Sequence, residues 1–167
     1  MGRYRTVSTE TSLVDSALRN WSQQIERANN VFAQRTEPQL LQQIAPGKNR
    51  LIYIWGHLTS INDALIPLLG FGERLHPELD AMFVKNPDRG VPIISARDLK
   101  HHWDEINQRL GTEFARLSPS EWAQKHTTVS EEDFKKEPHR NRFTILLGRT
   151  GHMAYHIGQA TLADGPR

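Results

Sequence analysis

The sequence contains no cysteine among its 167 residues. Disulfides, zinc fingers, thiolate nucleophiles and cysteine-ligated clusters are therefore excluded. Any bound metal must be held by nitrogen and oxygen ligands, and any thiol that takes part in a reaction must come from outside the chain. The lack of cysteine thus restricts both the metal site and the sulfur chemistry that the protein supports.

Long hydrophobic runs are also missing. The longest apolar stretches are short, such as residues 51–55, whereas a membrane-spanning helix needs about 20 apolar residues. The N-terminal part of the chain contains no apolar segment typical of a secretory signal. We therefore expect neither membrane association nor export, and we predict a cytoplasmic protein.

Neither sign of charge dominates the chain. Lysine and arginine number 21 against 19 aspartate and glutamate residues, which gives a net charge of +2. The one dense basic cluster in the sequence is interrupted by Glu137 and consists of Lys135, Lys136, Arg140 and Arg142. Because nucleic-acid binding needs lysine and arginine clustered on one face, we expect no nucleic-acid partner.

Apolar residues recur at steps of three and four almost throughout the chain, which predicts helices. The first long helix carries an apolar stripe from Leu13 to Phe32, and Ser12 with Asp15 resembles a capping box at its start. A short helical turn is expected around Leu40. Three further long helices are expected over residues 48–69, 95–117 and 139–163.

Four long helices in a chain of this length predict an all-α fold, a four-helix bundle that forms one domain over residues 1–167. Two long connections indicate that the bundle is not a simple up-and-down meander. The first covers residues 70–94, and the second contains Trp122, Val129 and Phe134. Long connections of this kind are often functional or lie across a face of the bundle.

Histidine is abundant, with eight residues. His152 and His156 stand at positions i and i+4 of the last helix, so their imidazoles can converge on one metal ion. A zinc metallopeptidase would carry glutamate next to the first histidine, and Met153 occupies that position. The pair predicts a metal site that is not a peptidase site. The spacing alone does not decide between this site and two histidines that bind no ligand.

The surroundings of this pair differ from a solvated surface. On a wheel of ~100° per residue, the histidines lie opposite a side formed by Phe143, Leu147, Thr150, Ala154 and Thr161. Both sides are poor in carboxylates. Gly148, Gly151 and Gly158 have no side chains, so another helix or a ligand can approach the backbone closely at these positions. We therefore expect this helix to be covered on more than one side.

A metal site needs a third ligand, and His57 is the candidate. It lies about 40° from Ile61 on the wheel of the second helix, at the edge of the apolar stripe. His102 flanks the stripe of the third helix in a similar way and is the main rival. Asp63 falls opposite its stripe and is not expected to be a ligand. The other histidines are expected at the surface: His76, His101, His126 and His139.

Several short motifs occur in the order found in a known family. Gly56-His57-Leu58 follows Ala45-Pro46-Gly47-Lys48, the last helix carries His152-x-x-x-His156-x-Gly158-Gln159, and Ser118-Pro119-Ser120-Glu121-Trp122 follows the third helix. This layout resembles the DinB-like (YfiT-like) superfamily of bacterial metal-binding four-helix bundles. The resemblance spans nearly the whole chain.

The resemblance implies a divalent metal, zinc or nickel, bound by His57, His152 and His156 with water in the remaining positions. Family members of known activity are thiol-dependent transferases or isomerases, so the resemblance implies a small-molecule thiol cosubstrate such as bacillithiol or mycothiol. The metal would favour the thiolate form of that thiol. The family also implies a homodimer formed through helix faces.

Two alternatives to a thiol transferase stay open. A metal-dependent hydrolase would lower the pKa of bound water towards ~7, but the sequence offers no strong general base, and Tyr53 can at best orient a ligand. A non-catalytic dimeric bundle would bind a metal or a ligand without turnover. In either enzyme, residues 70–94 and Trp122 are expected to form walls of the substrate pocket.

Overall fold

The computed structural model describes residues 8–89 and 94–164, and these residues form helices and connections. The same ranges contain no strand, and their two isolated bridges join Gln43 to Arg50 and Lys125 to Asn141. The prediction of an all-α fold is confirmed. None of the helices in the described residues is long and apolar enough to span a membrane.

The described part of the chain contains four long helices separated by short ones. The long ones are α1 (Thr9–Ala28), α3 (Leu51–Asp63), α6 (Ala96–Phe114) and α9 (Arg142–Thr161). The short ones are α2 (Glu37–Leu40), α4 (Leu65–Leu68), α5 (Leu79–Phe83), α7 (Pro119–Trp122) and α8 (Glu131–Lys136). A π-helical turn, Asn29–Ala33, continues α1, and a 3₁₀ turn, Leu162–Asp164, follows α9.

Side-chain caps explain where three of the long helices begin. Each cap oxygen accepts a backbone N–H of the first turn that would otherwise lack a partner, in the pairs Ser8 with Thr11, Ser95 with Asp98, and Asn141 with Thr144. The predicted start at Ser95 is confirmed. Because Ser8 acts as the cap, α1 begins before the predicted Ser12.

The helix predicted over residues 48–69 is divided in two. α3 ends at Asp63 and α4 begins at Leu65. Pro67 has no N–H to donate to the carbonyl of Asp63, and its ring crowds that carbonyl, so the regular helix cannot continue through this point.

The long helices share one core. α3 packs against α6 and α9, and α1 packs against α9. Each long helix contributes side chains to a single buried cluster, among them Trp21, Trp55, Trp103 and Met153. Most residues of α3 are buried, which explains why its sequence is apolar on more than one face. The central position of α3 places His57 beside α9.

The predicted long connection lies across α3, as the short helix α5 packs on it. Residues 90–93 of this connection lie outside the described part of the chain. Ion pairs hold the connection in place. Arg74 pairs with Asp63 at 2.9 Å and with Asp80 at 2.7 Å, and Arg50 pairs with Asp88 at 2.7 Å. Because Arg50 and Asp63 are buried at the two ends of α3, these pairs fix the connection along the helix that carries His57.

Within the described residues of one chain, α9 is buried along a single face, and its coverage by a second copy stays a prediction. Its buried residues follow steps of four and three: Leu146, Thr150, Met153, Ile157 and Ala160. Leu147, Ala154 and Thr161, on the side opposite the histidines, are exposed. Packing against α1 and α3 turns Met153 and Ile157 inwards.

Candidate metal centre

The three predicted ligands meet at one point. Nε2 of His152 lies 3.4 Å from Nε2 of His57 and 3.1 Å from Nε2 of His156. One ligand nitrogen from each ring lies within 4.8 Å of the others. Two nitrogens bound to one tetrahedral zinc at about 2.05 Å are themselves about 3.3 Å apart. The spacing therefore suits a shared metal ion.

Hydrogen bonds on the far side of two rings fix which nitrogen faces the centre. Nδ1–H of His57 donates to the carbonyl of Phe83 at 3.0 Å, and Nδ1–H of His156 donates to Oε1 of Gln159 at 2.8 Å. Nε2 of Gln159 donates to the Tyr155 hydroxyl at 3.0 Å, which turns its Oε1 towards His156. With the protons held on Nδ1, each Nε2 presents a lone pair inwards, as metal-ligating histidines do.

The mutual orientation of the rings also suits coordination. The planes of His57 and His152 meet at 60°, those of His57 and His156 at 68°, and those of His152 and His156 at 80°. An imidazole nitrogen binds a metal through a lone pair in the plane of its ring. Steeply inclined rings direct these lone pairs towards a common centre.

Burial favours the neutral form of the two imidazoles of α9. The pKa of His152 falls to about 4, mainly through burial and further through His156, His57 and Arg149. Burial also lowers the pKa of His156, against the opposing effect of the Gln159 hydrogen bond. Only the neutral imidazole can act as a ligand, so both rings of α9 are ready to bind a metal at neutral pH.

Gly56, which has no side chain, makes room for Phe83, whose carbonyl is the hydrogen-bond partner of His57. A Cβ on Gly56 would lie 2.4 Å from the ring of Phe83, far inside van der Waals contact. Gly56 therefore lets α5 approach α3 closely enough for the Phe83 carbonyl to reach Nδ1 of His57. This is the physical role of the glycine in the Gly56-His57-Leu58 motif.

A second cluster with possible ligands is less suited to a metal. His76, Glu78 and His102 each offer an atom within 4.8 Å of the others. The rings of His76 and His102 stack at 3.7 Å and 15°, so their in-plane lone pairs run parallel and do not converge. Instead, the nitrogens of His76 face Glu78 at 3.3 Å and Glu105 at 3.0 Å. His102, the rival third ligand, lies in this cluster and not with His152 and His156.

Other expectations for single residues have mixed outcomes. His101 and His139 are exposed as predicted, but His76 is half-buried and His126 is buried. Nδ1 of His126 lies 3.0 Å from the Thr128 hydroxyl, a partner that the sequence pattern did not reveal. Asp63 is outside the histidine cluster, where it binds Arg74.

A cleft of about 210 Å³ opens beside the histidines. Its lining residues come from the start of α3, the connection and α9: Asn49, Tyr53, Ile54, His57, Phe83, Val84 and His156. The connection thus contributes to the cleft through Phe83 and Val84. Trp122, by contrast, is buried against Phe114, with ring centres 5.2 Å apart, and does not line this cleft.

Tyr53 lines the cleft, but its hydroxyl is already occupied. It donates to the carbonyl of Asn86. Burial, with a smaller contribution from Asp88, raises the pKa of Tyr53. The phenol therefore stays protonated at neutral pH, and it cannot serve as a general base there.

Two groups at the site were missed from the sequence. The first is the Phe83 carbonyl, which has no sequence signal because every residue carries a carbonyl. The second is Arg149, which is half-buried and acts on the pKa of His152. Its spacing of three residues from His152 was a usable signal, since i and i+3 share a helical face.

Comparison of the sequence with known protein families and with curated proteins gives no match. The chemistry of the centre is therefore argued from its own geometry. That geometry consists of three inward-facing imidazole nitrogens, an adjoining cleft and a half-buried arginine.

Proposed function

We propose that this chain is a DinB-like four-helix bundle, one domain over residues 1–167, that binds a divalent metal through His57, His152 and His156. Zinc or nickel is the expected ion, because imidazole nitrogen suits both. The observation that carries the proposal is the convergence of the three Nε2 atoms, with the opposite nitrogens of His57 and His156 engaged by Phe83 and Gln159. α1, α3, α6 and α9 would be the four helices of the bundle.

The activity that we propose is transfer of a small-molecule thiol to an electrophilic substrate. A bound divalent metal would supply Lewis acidity and favour the thiolate form of the cosubstrate. The sulfur forms a bond to an electrophilic carbon, the leaving group departs with the bonding electrons, and the thiol proton passes to solvent. Phe83 and Val84 would keep water from the electrophile in the cleft.

The surroundings of the site favour thiol transfer over hydrolysis. Within the described residues, no carboxylate lines the cleft, and none contributes to the pKa shifts of His152 or His156. Tyr53 is held protonated with its hydroxyl donating to Asn86. A hydrolase needs a general base to accept a proton from water, whereas a thiol cosubstrate reaches the site already acidic enough to ionise.

The protein would act as a cytoplasmic homodimer in a bacterial cell. Reduced thiols are maintained in that compartment. α9 supports the dimer, because its exposed face carries Leu147 and Tyr155, at 48% and 62% exposure, and leaves Gly151 and Gly158 open to close approach. A second copy of the same helix would cover this apolar face.

An activity assay distinguishes thiol transfer, hydrolysis and metal binding without turnover. Zinc-loaded and metal-free protein are incubated with an aryl chloride electrophile and a panel of thiols that includes bacillithiol, mycothiol and cysteine. Thiol-dependent conjugation above the metal-free control supports the transferase. Ester cleavage without a thiol supports the hydrolase, and turnover in neither assay leaves the non-catalytic metal-binding bundle as the function.

A further inference from the structure

Arg149 is a half-buried cation without a counter-ion in the described part of the chain. Among residues 8–89 and 94–164 it has no hydrogen bond and no ion pair. The other arginines and lysines in these ranges that are half-buried or buried all have a partner: Arg35, Arg50, Arg74, Lys125, Arg140 and Arg142. Removing a guanidinium from water without a partner costs free energy. The unpaired Arg149 therefore indicates that a ligand binds there.

Arg149 belongs to the same helical stripe as the histidines of α9. Residues 149, 152 and 156 are spaced by three and four, which places them on one face. Arg149 is close enough to His152 to contribute to its lowered pKa. Along the axis the two residues are about 4.5 Å apart, at a rise of 1.5 Å per residue.

The electrostatic setting favours an anion at this face. No carboxylate of the described residues contributes to the pKa shifts of Arg149, His152 or His156. The imidazoles are neutral ligands, so a divalent ion would keep its full charge beside the guanidinium. A ligand that carries an oxyanion and a metal-binding atom would offset both charges.

We propose that Arg149 binds the oxyanion group, a carboxylate or a phosphate, of the small molecule that occupies the metal centre. The inference rests on the proposed metal site and defines its ligand as an anionic molecule, with the oxyanion held beside the metal-binding atom. A guanidinium fits this role because its planar donors bind both oxyanions through two parallel hydrogen bonds. Arg149 then acts as a binding residue that orients the ligand.

A matched pair of thiols tests this role. 3-Mercaptopropionate and 2-mercaptoethanol both offer a sulfur to the metal, but only the first carries a carboxylate. Their affinities for the cobalt-loaded protein are measured from the sulfur-to-cobalt charge-transfer absorption, in the wild type, Arg149→Gln, Arg149→Lys and Arg19→Gln. Arg19 is an exposed arginine of α1 and serves as the control.

The wild type is expected to prefer the mercaptocarboxylate by about 10-fold or more, since a hydrogen bond to a charged group contributes roughly 1.5–3 kcal/mol. Arg149→Gln should lose this preference, Arg149→Lys should keep part of it, and Arg19→Gln should keep all of it. The affinity for cobalt, measured by chelator competition, should not fall in any variant. An equal preference in the wild type and Arg149→Gln would overturn the proposal.

A second arm separates this inference from the metal site itself. If the wild type binds no cobalt, the proposed function fails, and the metal-free protein is titrated with acetate and inorganic phosphate by calorimetry. If the wild type binds acetate or phosphate and Arg149→Gln abolishes that binding, the result supports the oxyanion site. The anion that binds more tightly then shows whether the site prefers a carboxylate or a phosphate. Equal binding by the wild type and the variant, or no binding of either anion, contradicts the oxyanion site.

Discussion

Individual hydrogen bonds decide what the histidines can do. The Phe83 carbonyl and the Gln159 amide oxygen hold protons on Nδ1 of His57 and His156, and Nε2 of each ring faces inwards as a result. His152 owes its neutrality mainly to burial, which lowers its pKa to about 4. Two hydrogen bonds and the burial of His152 therefore leave the histidine cluster with nitrogen lone pairs that can bind a metal.

Gln159→Ala should weaken metal binding without abolishing it. The change removes the acceptor of Nδ1–H of His156, so that ring can rotate or change tautomer, and loss of such a partner typically costs 10–100-fold in metal affinity. Zinc affinity is measured by competition with a chromophoric chelator. Gln108→Ala, an exposed position of α6, is the control, and an unchanged affinity in Gln159→Ala would contradict the role given to this amide.

The metal-free protein should lose stability as the pH falls from about 6.5 towards 4. In the folded chain the pKa of His152 is about 4 against an ordinary value of 6.5. Between these values the unfolded chain binds the extra proton, so falling pH favours unfolding. The effect is complete below pH 4 and absent well above 6.5.

The measurement compares urea unfolding at pH 7 and pH 5 for the metal-free wild type and His152→Asn. The variant should show a smaller loss of unfolding free energy between the two pH values. Gln23→Asn places the same new side chain at an exposed position of α1 and should behave like the wild type. A loss in His152→Asn as large as in the wild type would refute the assignment.

At the level of helices, the position of α5 on α3 determines where the Phe83 carbonyl lies. Gly56 permits the close approach, and the ion pairs of Arg74 and Arg50 hold the connection against α3. α9 contributes the other ligands through its i, i+4 spacing. The site is thus assembled by three helical segments that are far apart in sequence.

Gly56→Ala should reduce both stability and metal affinity. Its Cβ would lie 2.4 Å from the Phe83 ring, so α5 must move away and the hydrogen bond to His57 weakens. Overpacking of this kind costs about 1–3 kcal/mol. Thermal unfolding of the metal-free protein and chelator competition give the two readouts.

Gly111→Ala, at an exposed position of α6, is the matched control for this substitution. It introduces the same methyl group in a helix, but nothing lies within 4 Å of the new Cβ. The change should stabilise the chain by about 0.5–1 kcal/mol through helix propensity. If Gly56→Ala behaved like Gly111→Ala, the close packing of Phe83 would not be a requirement of the fold.

The helices and ligands could be predicted from sequence to different degrees. His152 and His156 were found because spacing in one helix fixes their shared face, and His57 because it borders an apolar stripe. Which face of α9 is buried within one chain could not be predicted, since it depends on how α1 and α3 pack. No sequence pattern indicates the Phe83 carbonyl, because it lies in a connection without periodicity. The spacing of Arg149 from His152 indicates a shared helical face, but not that the guanidinium is half-buried.

On the scale of the whole molecule, α9 has an exposed apolar face that no other part of residues 8–89 and 94–164 covers. Leu147, Tyr155 and Leu162 are all about half or more exposed. This face lies on the same helix as His152 and His156. The cleft beside the histidines is lined mainly by α3 and the connection, and none of the exposed residues Leu147, Tyr155 and Leu162 lines it.

Light scattering at micromolar concentration should give twice the 19.2 kDa mass of one chain. The double change Leu147→Lys with Ala154→Lys places two charges on the exposed face of α9 and should yield the monomer. Leu41→Lys, at an exposed position outside the long helices, should remain dimeric. A monomeric wild type would show that this face does not join two copies of the chain.

The central claim is that His57, His152 and His156 hold one divalent metal ion. The most direct measurement is the metal content of untagged protein, purified under metal-replete conditions, for the wild type and for His57→Ala, His152→Ala and His156→Ala. His139→Ala removes an exposed histidine and is the control. The account predicts one zinc or nickel ion per chain in the wild type and the control, and less than about a tenth of that in each ligand variant, because two histidines do not complete a site. A wild type without stoichiometric metal, or ligand variants that retain it in full, would contradict the account.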